Sequence, residues 1–246
     1  MSLPVHLVPS LEGVTVGATV VVEGDEAHHA VAVRRLRVGE RLVLTDGLGR
    51  SVLGEVAATG KRTLDVRVHE ATRDPEPSPS VTVVQALPKG DRGELAVEVL
   101  TEVGVARVVP WSASRSVAVW KGERAEKGLA KWRSTAREAA KQARRTWHPV
   151  VDPMAGTARV AELVAAADLA VVLHEDATTT LAGLEVPAAG TLLVVVGPEG
   201  GIAPEELDAL TAAGATSVRL GAEVLRTSTA GVAAVAALLS RTSRWA

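Results

Sequence analysis

The run Leu192–Val196 is apolar at every position. On a β-strand this means burial on both faces, the condition of a strand inside a parallel sheet covered by helices. The run ends directly in Gly197-Pro198-Glu199-Gly200-Gly201. A helix-like stretch, Pro204–Ala213, follows with proline early in its first turn. A further strand, Ser217–Leu220, then enters a second glycine-bearing loop, Gly221–Thr229. Loops at the carboxyl ends of parallel strands are where open α/β sheets bind ligands, and glycines there let a ligand approach the backbone closely. The two loops predict a pocket built mostly of main chain.

The rest of the chain fits that frame from Val81 onward. Strands are predicted at Val81–Leu87, Ala106–Pro110 and Leu169–Leu173, and helices at Asp91–Val103, Lys121–Arg145, Thr157–Ala166 and Thr227–Leu239. The alternation implies an α/β domain, 81–246, with a mostly parallel sheet. Residues 1–72 read differently. Short β-branched runs at Thr19–Val22, Arg41–Thr45, Val52–Val56 and Leu64–Val68 are separated by turns and predict a small barrel or sandwich, with one helix at Asp25–Leu36. Between the two parts, residues 73–80 hold three prolines and read as a linker.

Composition narrows the chemistry. There is no Phe or Tyr, so Val, Leu and Ala must fill the core and the five Trp are the only aromatic side chains. Base stacking on Phe or Tyr is thereby excluded. The absence of cysteine removes disulfides, thiolate nucleophiles and Cys-based zinc sites. No apolar run reaches the roughly 18 residues of a membrane span, and no signal-peptide pattern opens the chain, so the expected compartment is the cytoplasm. A net charge of −2 leaves the question of nucleic acid to the distribution of charge.

The Gly197–Gly201 loop is neither a dinucleotide fingerprint, for it lacks the Gly-x-Gly-x-x-Gly spacing, nor a P-loop, for no Gly-Lys-Ser/Thr follows. Arg226 precedes Thr227-Ser228-Thr229 at the start of the last helix, where it suits a phosphate or carboxylate; Ser and Thr there serve equally as simple caps. Leu173-His174-Glu175 ends a buried strand and supplies the one His-Glu pair in such a place. Arg137, Lys141, Arg144 and Arg145 follow helical spacing and predict a basic face beside Trp132 and Trp147. A second basic cluster, Arg34-Arg35-Leu36-Arg37, follows His28-His29. No nearby carboxylate or cysteine set gives these histidines metal-ligand spacing, so no metal site is expected and His29 is placed toward RNA. Lys89 and Arg92, in Leu87-Pro88-Lys89-Gly90-Asp91-Arg92, end a strand on the same edge as the glycine loops. With Arg115 they complete the residues expected to face RNA.

Taken together, these residues resemble the SPOUT superfamily of RNA methyltransferases and, more narrowly, the RsmE family, whose members methylate N3 of a uridine in 16S ribosomal RNA. The resemblance rests on Ala30–Glu40, on Ala86-Leu87-Pro88-Lys89-Gly90-Asp91 and Thr101-Glu102-Val103-Gly104-Val105, on Glu138–Arg145, and on Gly197–Gly201 and Leu220-Gly221 with Leu225-Arg226-Thr227. It implies a deep trefoil knot in the α/β domain, a PUA-like β-barrel before it, a homodimer, and the 16S RNA or small ribosomal subunit as partner, with no membrane and no metal. S-adenosylmethionine is implied among Leu173 and His174; Val196, Gly197, Pro198, Glu199, Gly200 and Gly201; and Leu220, Gly221, Leu225, Thr227, Thr229 and Ala230. Arg226 is implied to stabilise the substrate anion or phosphate, with Glu199, His174 and Glu175 as further candidates for handling the proton. Many relatives carry Glu where this chain has Ser228, so no base role is carried over to that position. Two other readings stay open on the residues: a methyltransferase of transfer-RNA ribose, and a non-catalytic RNA-binding protein of ribosome assembly.

Overall fold

Alternating hydrophobic residues before residue 75 drive the first sheet. The strands β1 (Val5–Leu7), β2 (Thr19–Glu23), β3 (Arg41–Thr45), β4 (Arg50–Thr59) and β5 (Thr63–Arg73) lie in the order β1-β3-β4-β5-β2. Only the β1–β3 pair is parallel. Leu42 and Leu44, Val52 and Val56, and Leu64, Val66 and Val68 point to one buried face at period two. The β4–β5 ladder bulges at Leu53/Gly54. Gly54 is required there, because a side-chain carbon would collide with Val66 and the Arg67 carbonyl. The expected helix over 25–36 is shorter: α1 (Gly24–His28) runs into a single π-helical turn, His29–Val33, and Arg35 adopts φ +58°.

The structure is a computed structural model describing residues 3–245. It divides into two units, one running to Glu76 and joined by Ala140–His148, the other formed by Pro77–Ala139 and the chain from Pro149. The return of residues 140–148 to the first unit is not a feature that the local sequence announces. The Gly49 amide donates to the Thr146 carbonyl (2.9 Å), and the Trp147 ring lies over Gly49, 2.6 Å from where a side-chain carbon would stand. The Trp147 indole N–H donates to the Asp74 carbonyl at 3.2 Å, and the Thr146 hydroxyl to the Asp74 carboxylate at 2.6 Å.

Two expectations for the basic helix are corrected here. Helix α3 (Glu123–Gln142) stops before Arg144, which has φ +54°. The Arg145 amide bonds the Ala140 carbonyl and the Arg144 amide the Lys141 carbonyl, which is a Schellman stop. Arg144 holds the left-handed position that glycine usually takes, so Arg144 and Arg145 leave the face they were expected to share with Arg137. Lys141 does not belong to an exposed face either. It is buried, and its ammonium bonds Glu26 Oε1 at 2.6 Å, while Glu26 Oε2 lies 3.2 Å from His6 Nδ1.

His29 joins the same cluster. Its ring lies 6.0 Å from that of the buried His6, and ligand-capable atoms of His6, Glu26 and His29 fall within 4.8 Å of one another. Spacing in the sequence could not foresee this, because the three residues meet only through tertiary structure. The Lys141 ammonium already supplies the positive charge that Glu26 faces, which disfavours a second cation beside it.

The second unit is a six-stranded, wholly parallel sheet of β6 (Ser80–Ala86), β7 (Arg107–Trp111), β8 (Val150–Val151), β9 (Leu169–Leu173), β10 (Thr191–Val196) and β11 (Thr216–Val218), ordered β11-β9-β10-β6-β7-β8. Leu192, Val194 and Val196 face a core shared with α2 (Arg92–Val103) and α6 (Thr227–Leu239). Leu193 and Val195 face a second core with α4 (Thr157–Ala165) and α5 (Pro204–Ala212). A chain without Phe or Tyr builds these layers from close approach of small residues. Gly231 on α6, for example, leaves 3.2 Å between a would-be side-chain carbon and Val196. Trp111 and Trp132 are the large buried side chains, and Gly93 makes room under the Trp132 ring. No helix among the described residues is long and apolar enough to cross a membrane.

The Glu26 cluster has a measurable signature. Burial alone raises the Glu26 pKa, but hydrogen bonds and charge from His6 and Lys141 outweigh it and bring the carboxyl from 4.5 down to about 2. The stability it contributes is therefore complete above pH 4.5 and drains away as pH falls toward 2. Glu26→Gln, which removes the negative charge facing the buried Lys141 ammonium, is expected to cost ~3 kcal/mol near neutral pH by urea unfolding. The gap between wild type and variant should narrow steadily below pH 4.5; a gap independent of pH would remove this account.

Candidate functional site

Strands β11, β9 and β10 are neighbours and run parallel, so their carboxyl ends open on one edge. There the loops after them enclose a cavity of about 360 Å³, a size suited to a small organic ligand. Leu173, His174 and Glu175 line it from the end of β9, and Val196, Gly197, Pro198, Glu199 and Gly201 from the end of β10. The β11–α6 connection contributes Leu220, Gly221, Leu225 and Arg226, and the first turn of α6 contributes Thr227 and Ala230. The two glycine loops of the sequence thus meet around one space.

Gly200 and Thr229 are the exceptions among the expected pocket residues, for neither lines the cavity. A side-chain carbon on Gly200 would lie 3.0 Å from the Arg115 carbonyl oxygen, so this glycine serves the packing of a neighbouring loop. Thr229 turns its hydroxyl back onto the Arg226 carbonyl (3.3 Å). Gly197 is needed because Ile202 lies 2.7 Å from its would-be side chain, and Gly201 because its φ is +74°. Each glycine of the loop answers to the protein's own packing or backbone, and none is there only for a ligand.

Charged groups of both signs reach the cavity. Arg226 sits at the N-cap of α6, its carbonyl accepting from the Thr229 and Ala230 amides while its side chain is exposed. Glu199 accepts from the Lys89 amide at 3.3 Å and lies 3.9 Å from the Arg92 guanidinium. The turn after β6 is therefore tied to the turn after β10. His174 Nδ1 accepts from the Asp176 amide at 3.3 Å. In the neutral ring the proton is then on Nε2, so in this arrangement His174 offers a donor rather than a base.

Arg92, Arg219, Glu223 and Ile202 also line the cavity. The sequence places Arg92 toward RNA but gives no sign of Arg219, which bridges Thr180 just after β11, or of Glu223 in the loop beyond it, because their approach to the cavity depends on the sheet. Ser228 is buried and does not line the space. The remaining expected RNA-facing residues are scattered: Arg34, Arg35 and Arg37 are exposed on the first unit, while Lys89, Arg115 and Arg137 are exposed on the second.

Helix α6 begins on a buried polar anchor. The side-chain amide of Gln85, fully buried at the end of β6, donates to the Thr227 carbonyl at 3.3 Å and to the Ala86 carbonyl at 3.2 Å. This fixes the first turn of α6 against the sheet and, with it, the place from which Arg226 projects.

Comparison with known proteins places these features in company. Residues 75–239 match the family model described as RNA methyltransferase domain, and residues 22–68 one described as RNA methyltransferase PUA domain. The chain is 51% identical over 233 residues to the Ribosomal RNA small subunit methyltransferase E of Mycobacterium bovis, covering 93% of this chain and 89% of that protein. It is 29% identical over 232 residues to the protein of that name from Bacillus subtilis, covering 91% of each. Among solved structures, the Ribosomal RNA small subunit methyltransferase E of Neisseria gonorrhoeae bound to S-adenosyl methionine superposes with a TM-score of 0.86 at 28% identity, covering 97% of this chain and 98% of that one.

Gly201→Ala forces a side chain into the left-handed region at φ +74° and is expected to lower the unfolding free energy by ~1–2 kcal/mol. Urea denaturation measures it, and a neutral result would mean that the backbone there does not need glycine.

Proposed function

The chain belongs to the RNA methyltransferase family, and from that premise we propose that it transfers a methyl group from S-adenosylmethionine to N3 of a uridine in 16S ribosomal RNA of the small subunit. The observation that carries this reading is the cavity at the ends of β9, β10 and β11, together with the likeness, at 51% identity, to a small-subunit ribosomal RNA methyltransferase. The residues present fit the cofactor. Val196, Ile202, Leu220 and Ala230 offer apolar surface for a flat base, and loop backbone offers donors and acceptors for a ribose. Glu175, Glu199 and Glu223 give the cavity carboxylates that complement a cation. When bound, S-adenosylmethionine supplies a methyl group on a positively charged sulfur.

The chain's own residues have two tasks beyond holding it. One is to align the acceptor nitrogen, because positioning supplies much of the rate of such a transfer. The other is to manage the N3 proton and the negative charge left on the base. Arg226, exposed at the N-cap of α6 and lining the cavity, is assigned to that charge or to the adjacent phosphate. Glu199 is tied to Lys89 and Arg92, and His174 presents a donor, so Glu175 is the better placed of the three to receive the proton. The three loops that converge are those that a trefoil-knotted chain end would bring together. A homodimer acting in the cytoplasm, with the first unit gripping RNA, completes the reading.

Mapping of modified uridines by mass spectrometry in small-subunit RNA from a deletion strain tests the whole. N3-methyluridine should disappear, and an unchanged peak would end the proposal. Arg226→Ala is expected to lower turnover by ~100-fold while calorimetry finds S-adenosylmethionine binding nearly intact; lost binding would reassign Arg226 to the cofactor. Arg34→Ala combined with Arg37→Ala should weaken RNA binding and reduce the salt slope by about 2. A loss of affinity that does not change with salt would mean that the pair does not meet phosphates.

A further inference from the structure

Glu206 is a buried carboxylate that the cavity's lining does not include. It stands at the third position of α5, where a Glu commonly reaches back to the amide that opens the helix. It does so here, accepting from the Ala203 amide at 3.4 Å. Capping explains only that bond. Oε1 also accepts from the Ser114 amide at 2.9 Å and the Thr157 hydroxyl at 2.8 Å, and Oε2 from the Ser114 hydroxyl at 2.9 Å. Thr157 in turn accepts from the Trp111 indole at 3.2 Å. One carboxylate therefore joins the segment after β7, the first residue of α4 and the start of α5.

What lies next to Ser114 gives this junction its consequence. The Arg115 carbonyl oxygen and Cβ are 3.0 and 3.3 Å from where a side-chain carbon of Gly200 would stand, and its guanidinium is 3.9 Å from the corresponding point on Gly201. Fixing Ser114 therefore fixes Arg115 against one side of the glycine loop. The other side of that loop, through Gly197, Pro198, Glu199 and Gly201, is the wall of the cavity.

We propose that Glu206 is a positioning residue for methyl transfer, acting through Ser114 and Arg115 to hold the Gly197–Gly201 loop in the shape that binds the cofactor. The inference rests on the reading of the cavity as the S-adenosylmethionine site. A carboxylate is needed because all four partners donate, and an ionised carboxylate accepts on both oxygens. A glutamine would turn its NH2 toward either the Ser114 or the Ala203 amide. The two hydroxyls can rotate to accept from that group; a backbone N–H cannot.

The test combines calorimetry of S-adenosylmethionine with hydrogen exchange over residues 112–117 and 198–203, on wild type, Glu206→Ala, Glu206→Gln and Ser114→Ala. Glu206→Ala should weaken cofactor binding by ~10-fold and Glu206→Gln by ~3-fold, with exchange faster in both segments, because a loosened loop no longer presents its backbone in register. A purely structural Glu206 would lower the melting temperature and leave the affinity of the folded protein within twofold of wild type; that result, with exchange over 198–203 unchanged, would overturn the proposal. If Glu206→Ala does not fold, Ser114→Ala decides by the same two readouts. Wild-type protein that binds no S-adenosylmethionine would instead sink the cofactor reading, and exchange over 198–203 would still decide whether Glu206 governs the loop.

Discussion

Strand β10 is hydrogen-bonded along its length to β6 on one side and to β9 on the other, and its apolar side chains feed both cores. Everything that forms the cavity is referred to it. Because β9 lies at its flank and β11 lies beyond β9, three loops leave the sheet side by side although long stretches of chain separate them. A strand that faced solvent on one side could not be central, and the loops would not converge. The continuous apolar run Leu192–Val196 is thus both the main element of the core and the reason that a binding edge exists.

The lack of Phe and Tyr shapes how this sheet is covered. With few large side chains to fill gaps, the layers come close, and glycines and alanines set their spacing. Gly231 lets α6 approach Val196 and Leu100, and Gly93 lies under Trp132. The same economy governs the pocket loop. Gly197 yields to Ile202, Gly200 to Arg115, and Gly201 to its own left-handed backbone. A loop so constrained by its surroundings is already shaped when a ligand arrives, and less ordering has to accompany binding.

Buried and half-buried polar groups do the long-range tying. Glu26 and Lys141 join residues far apart in the sequence within the first unit, Gln85 pins the start of α6, and Glu206 gathers three segments behind the glycine loop. Each is costly to bury unless its partners are in place. Such groups therefore specify one arrangement more sharply than apolar contacts do.

How much of this was legible depended on whether a signal was local. The strands Arg41–Thr45 and Leu169–Leu173 and the helix Thr227–Leu239 have the bounds that their periodicity predicts, and both glycine loops announced themselves as punctuation after apolar runs. The stops of α2 and α5 carry Gly104 and Gly214 at positive φ, as helix ends usually do. The stop of α3 carries Arg144 in that place, so helical spacing ran on through Arg145 and a basic face was expected where the chain turns. His29 and Lys141 read as charge for a polyanion, yet they meet His6 and Glu26, whose positions in the sequence give no hint of the contact. Glu206 showed only a capping position, and its link to Ser114 and Thr157 exists only once β7, α4 and α5 are packed. By itself the sequence determined the alternation of elements, the doubly buried strands and the backbone-rich loops, because propensity and periodicity act over a few residues. Only the tertiary structure decided which loops share a cavity and which charges are spent inside, because those follow from strand order and from contacts between residues that are neighbours in space alone.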